Sequence, residues 1–228
     1  MVPQNVGGSV FDGNGHSITG VDPATGHFTG AVLQAQAGAD SIKVAGVTVS
    51  ASGLADVCDA GTARLRGILF DGVGGVITDN NVTGIEQGAN GESGCQEGTG
   101  IDVRNEPFDT TGTDFRVTIS DNTVTDYQKG GIVANGSVAA IITDNTVTGD
   151  GPISYIAQNG IQVAYGATAI VKNNSSSENW YTPSSYVACG FLVYQADGVR
   201  ASGNNFFNNE RNQCNFGKSG GSFKPSNP

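Results

Sequence analysis

Tryptophan and methionine are almost absent from this chain, one of each in 228 residues, and only 14% of the residues are charged. A helical bundle or coiled coil needs charged faces and long straight-chain apolar side chains, so neither fits. Basic residues are scarce too: 11 Lys and Arg against 21 Asp and Glu give a net charge of −10, and the basic ones stand singly. That leaves no footprint for a polyphosphate, and nucleic acid is not an expected partner. No apolar run approaches the roughly 18 residues of a membrane span. The start, Met1-Val2-Pro3-Gln4-Asn5, has neither the charged nor the apolar region of a signal peptide. An initiator Met directly on Val-Pro-Gln reads as a mature secreted domain without its signal.

Glycine is abundant, at 35 residues, and two short phrases alternate. The first is Gly-apolar-x-apolar: Gly67-Ile68-Leu69-Phe70, Gly100-Ile101-Asp102-Val103, Gly131-Ile132-Val133-Ala134, Gly160-Ile161-Gln162-Val163 and Gly190-Phe191-Leu192-Val193. The second is apolar-x-x-Asn-x-apolar, as in Ile119-Ser120-Asp121-Asn122-Thr123-Val124, with centres at Asn80, Asn122, Asn145, Asn174 and Asn204. The glycines step by 33, 31, 29 and 30 residues. Two rigid strands therefore recur about every thirty residues. Loop variation falls mainly between each Asn and the next Gly, apart from a turn-rich insertion at Glu106–Thr113.

Alternating β-branched residues punctuated by Gly and Asn stack strand on strand. The expected fold is all-β: a single-stranded parallel β-solenoid of about six coils, with long loops on one side. Neighbouring coils lie about 4.8 Å apart, so six make a rod about 30 Å tall. Equivalent side chains then form ladders, an aliphatic one from Ile68, Ile101, Ile132, Ile161 and Phe191, and an amide one from the five asparagines at a sharp bend. One domain spans the chain, with residues 1–29 as cap and first turn, 30–216 as coils and 217–228 as a polar tail. The Asp-Asn pairs at Asp79, Asp121 and Asp144 read as bend residues. Calcium between coils is the alternative for these aspartates, against their forming a column that does not converge.

The phrases Ile-Thr-Asp-Asn-Thr-Val-Thr-Gly and Gln-Asn-Gly-Ile-Gln-Val, with the opening Phe11-Asp12-Gly13-Asn14-Gly15-His16-Ser17-Ile18, resemble right-handed parallel β-helix repeat proteins of the pectate-lyase-like superfamily. The resemblance covers roughly residues 10 to 210 and implies the architecture. That fold carries lyases, hydrolases, epimerases, tailspikes and adhesins, so it implies no single activity. Neither the arginine-proline motif of pectate lyases nor the aspartate-pair motifs of polygalacturonases is present.

Four Cys allow three pairings. The repeat selects among them: Cys58 and Cys95 lie one coil apart in equivalent loops, and Cys189 and Cys214 each precede the start of a coil. The expected bonds are Cys58–Cys95 and Cys189–Cys214, which point to an oxidising, extracellular location.

Long loops that all precede the Gly-apolar-x-apolar strand wall a groove whose floor is that strand's outward face. The floor reads Leu69 and Asp71, Asp102 and Arg104, Val133 and Asn135, Gln162 and Ala164, then Leu192 and Tyr194. Asp71 and Asp102 fall on a diagonal of about 8 Å, compatible with the acid and base of an inverting hydrolase. Arg104 suits instead a lyase in which a cation holds a uronate carboxyl. The plainer reading is a surface ion pair between Asp71 and Arg104. Tyr155, Trp180, Tyr181 and Tyr194, with Asn135 and Gln162, are the candidate sugar-binding residues, because flat amphipathic rings and amides suit sugar faces and hydroxyls. The expected function is a secreted protein that binds a polysaccharide or cell-surface glycan, with its cleavage, by hydrolase or lyase chemistry, as the extension of that reading. The alternative is a non-catalytic adhesion or scaffold module. The strong acidity favours a neutral glycan over a uronate polymer.

Overall fold

In the computed structural model, residues 8–36, 41–88, 94–105, 115–182 and 185–217 are described. Their strands run coil by coil. The first three coils are β1 (Ser9–Asp12), β2 (Ser17–Thr19) and β3 (Ala31–Gln36); β4 (Ile42–Ala45), β5 (Thr48–Ser50) and β6 (Arg66–Asp71); and β7 (Gly75–Thr78), β8 (Asn81–Thr83) and β9 (Thr99–Asn105). The next two are β10 (Phe115–Ser120), β11 (Thr123–Thr125) and β12 (Gly130–Gly136), then β13 (Val138–Thr143), β14 (Thr146–Ile153) and β15 (Asn159–Ala164). The last two are β16 (Thr168–Lys172), β17 (Ser175–Tyr181) and β18 (Cys189–Tyr194), then β19 (Val199–Ser202), β20 (Asn205–Phe206) and β21 (Arg211–Asn215).

Each coil gives one strand to each of three parallel sheets of seven strands. Seven coils exceed the six or so that the glycine phrases suggest, for a local reason. The first coil opens at Ser9, inside the segment read as cap and first turn, and its groove strand begins Ala31-Val32 without the glycine. The last groove strand, Arg211–Asn215, lacks the phrase as well. The insertion at 106–113 and the tail from residue 218 lie outside the described residues.

The register stacks like on like. Ile68, Ile101, Ile132, Ile161 and Phe191 pair in succession and point into one continuous core. Glycine leads each of these strands because a side chain has no room there. A Cβ on Gly67, Gly100, Gly131 or Gly160 would lie within 2.8 Å of the next coil's glycine carbonyl. The amide ladder forms as well: the Nδ2 of Asn80, Asn122, Asn145 and Asn174 each donates to the Oδ1 of the next asparagine at 2.9–3.0 Å. Just before it, Asp79, Asp121 and Asp144 take φ of +57, +58 and +59°, the left-handed bend that Asp and Asn tolerate best. They are bend residues.

Both expected disulfides are present, with Cα–Cα distances of 5.7 Å for Cys58–Cys95 and 6.1 Å for Cys189–Cys214. They staple neighbouring coils at opposite ends of the third sheet.

Candidate functional site

The outward face of the third sheet carries a groove of about 750 Å³. The sheet face that holds it follows strand alternation: Leu69, Asp102, Val133, Gln162 and Leu192 pair in one column, and Asp71, Arg104, Asn135, Ala164 and Tyr194 in the next. Along the rod axis the lining changes character. Charged groups come first, with Arg64, Arg66, Asp102, Arg104 and Lys129; amides follow, with Asn135, Asn159 and Gln162; tyrosines close it, with Tyr155, Tyr165, Tyr181, Tyr186 and Tyr194.

The charged end is tightly paired. Arg66 Nε donates to Asp102 Oδ2 at 2.6 Å, and both side chains are buried. Arg66 also donates through Nη1 to the Arg64 carbonyl at 2.8 Å. Asp102 Oδ1, buried on the same floor, has no hydrogen-bond partner among the described residues. Arg104 Nη2 meets Asp71 Oδ2 at 3.2 Å, the ion pair of the plainer reading. Asp71 itself stands outside the lining. In the middle, Asn159 Nδ2 reaches Gln162 Oε1 at 3.4 Å, and Gln162 Nε2 reaches Asn135 Oδ1 at 3.3 Å. This amide chain crosses two coils.

Of the expected sugar-binding residues, Asn135, Gln162, Tyr155, Tyr181 and Tyr194 line the groove, and Trp180 does not. Trp180 lies in β17 next to Tyr181, and adjacent residues of a strand face opposite ways. Its indole N–H donates to the Asn208 carbonyl at 2.9 Å. Tyr127, on a connection expected to flank the groove, is instead fully buried, its hydroxyl donating to Asn179 Oδ1 at 2.6 Å. Tyr194 packs edge-on against Tyr165, with ring centroids 5.5 Å apart.

Sequence reasoning missed Lys129 and an acidic corner behind Tyr155. Lys129 Nζ donates to the Ala157 carbonyl at 2.7 Å, and burial draws its pKa down to about 8. In the corner, burial and then the charges of Asp150 and Asp126 push Glu86 up to about 7. Burial also raises Asp150 to about 6, against the hydrogen bond it accepts from Gln158 Nε2 at 2.6 Å. The same two carboxylates, after burial, lift Tyr155 to about 12. No periodic signal marks these residues, since each lies outside the two repeated phrases. Among the described residues, the group close enough to hold a metal is Cys58, Cys95 and Glu97, and a disulfide occupies both sulfurs.

Set against known families, residues 66–223 match the one described as a right handed beta helix region. The chain belongs to the right-handed β-helix family. No curated protein and no solved structure matches it. A right-handed β-helix gives its coils a common hand, so the loops that precede β9, β12, β15 and β18 emerge on one side of the rod. Gly94 and Gln96, Lys129, Tyr155 to Ala157, and Tyr186 and Val187 belong to those loops and all line the groove. Among the described residues of this β-helix, no helix is long and apolar enough to cross a membrane.

Proposed function

We propose that the chain is an extracellular glycan-binding β-helix protein that holds a short saccharide lengthwise in the groove of its third sheet. The lining carries this reading: a floor of carboxylate and amide groups under a wall of tyrosines, the combination that takes sugar hydroxyls below and C–H faces above. The unpartnered Asp102 Oδ1 supports it further, because a buried acceptor without a donor is costly and a ligand hydroxyl supplies one. Two disulfides fit the oxidising compartment in which such ligands are met.

The carboxylates favour binding over cleavage. Asp102 is held by Arg66, and Asp71 is held by Arg104 outside the groove, so the two do not flank a common bond as acid and base.

A glycan array read for bound protein, together with assays for released saturated and unsaturated ends with and without calcium, tests the proposal. Binding without release is expected, and Tyr181→Ala and Gln162→Ala each weaken it about tenfold while leaving the melting temperature near that of the parent, as for partly exposed side chains. Release of either kind of end converts the groove into an active site. Silence on every glycan leaves the rod as an adhesion or scaffold module.

A further inference from the structure

Among the described residues of the groove, Lys129 is the cation that no carboxylate pairs with or perturbs. Arg66 faces Asp102, and Arg104 faces Asp71. Arg64 lies within the field of Glu97, a carboxylate whose pKa is raised chiefly by burial although it accepts hydrogen bonds from the backbone of Leu65 and Asp59. Lys129 makes one side-chain hydrogen bond among the described residues, to the neutral Ala157 carbonyl, and burial is the sole cause behind its lowered pKa.

The main chain at Lys129 is held from both flanks. The Lys129 N–H donates to the Gly98 carbonyl at 2.9 Å, and the Lys129 carbonyl accepts from the Asn159 N–H at 3.0 Å, so its main chain is tied to the coils before and after it. An ammonium carries three N–H donors, and one is used. Lys129 is half-buried, and even partial desolvation of a cation without a paired counter-charge is unfavourable. In a protein of net charge −10, such a cation on the groove wall, in the loop leading into β12, offers an anion a partner.

The flanking chemistry limits where a second anion could go. One coil before Lys129, the carboxylate of Asp102 disfavours another negative group; one coil after it, Asn159 and Gln162 offer neutral amides, and beyond them stand the tyrosines. We infer that Lys129 reads the charge of the ligand, and that the ligand is a glycan in which one carboxylate- or sulfate-bearing sugar is flanked by neutral sugars. The inference rests on the glycan-groove reading. It reverses the expectation drawn from net charge, because whole-chain charge averages over a groove whose own balance is positive.

The test is calorimetric binding of size-matched oligosaccharides that are neutral, carry one central uronate, carry one central sulfate, or carry a uronate at every position. The single-acid ligands bind the parent protein at least tenfold more tightly than the neutral one, and the tighter of the two identifies the natural anion. The all-uronate ligand binds less well than the single-acid one. Lys129→Met brings the acidic-to-neutral affinity ratio close to one, and Lys129→Arg restores part of it. The ratio also falls as pH rises above about 8, the value of Lys129. The charged groups of the groove on the coils before it are Arg64, Arg66, Asp102 and Arg104, with Arg66 and Asp102 paired to each other. Tyr155, on the wall, titrates near 12, and Glu86 and Asp150 near 7 and 6 have already lost their protons. Equal binding of neutral and acidic ligands, tightest binding of the all-uronate ligand, or a Lys129→Met change that lowers every affinity alike overturns the inference and spares the groove reading. Binding of none of the four overturns both.

Discussion

Arg66 and Asp102 meet from adjacent coils at 2.6 Å with almost no exposure to solvent, and that contact decides what substitution at either position does. Removing one partner of a buried pair strands the other charge, whereas removing both with apolar replacements is far milder. Asp102→Ala therefore lowers the free energy of unfolding by about 3–5 kcal/mol, and Arg66→Met with Asp102→Leu recovers most of the loss; denaturant unfolding of the three proteins measures both. A double variant as unstable as the single one would show that the pair does more than cancel its own burial. Asp102 was visible in the sequence as a floor residue because strand alternation fixes which side chains face out. Its partner was not, since the register sets Arg66 beside Thr99 and the contact is a diagonal reach that depends on the rotamer of a long side chain. Lys129 escaped notice for a related reason: it stands in a corner just before a glycine phrase, where no alternation applies.

Ladders are the unit of argument at the scale of the element. In the middle of the amide ladder, Asn145 Oδ1 accepts from both the N–H and the Nδ2 of Asn122, while Asn145 Nδ2 donates to Asn174 and to the carbonyls of Ile119 and Thr143. Asn204, in the last coil, accepts from Asn174 and donates to the Val171 carbonyl. Leaving each buried group unsatisfied costs about 1–3 kcal/mol, so Asn145→Ala destabilises by at least ~3 kcal/mol and Asn204→Ala by clearly less, as read from denaturant midpoints. Equal losses at the two sites would mean that neighbouring coils close over the gap. Both ladders were legible from spacing alone, because each coil repeats the same chemistry at the same offset. The terminal coils were legible only as a first turn within residues 1–29 and as coils running to residue 216, not as full sets of three strands, because β3 and β21 form the same sheet without the phrase that marks the others.

For the whole molecule, the acidic corner sets how stability varies with pH. Unfolded, Glu86 loses its proton near 4.5, and folded it keeps it to about 7; Asp150 shifts in the same direction, from 3.8 to about 6. Between those values the folded state binds more protons than the unfolded one, so raising the pH favours unfolding. The melting temperature falls between pH 5 and pH 8, and Glu86→Gln flattens that fall; a parent protein whose melting temperature rises over this range would contradict the assignment. The amide ladder also gives the rod a direction. Each carboxamide from Asn80 to Asn174 sends its N–H toward the next coil and receives at its oxygen from the coil before. All these small dipoles point the same way and reinforce one another. A coil that has just been laid down therefore always offers donors to the one that follows, so a chain emerging from its N-terminus meets a ready template at every turn, and the two tips of the finished rod are not chemical equivalents.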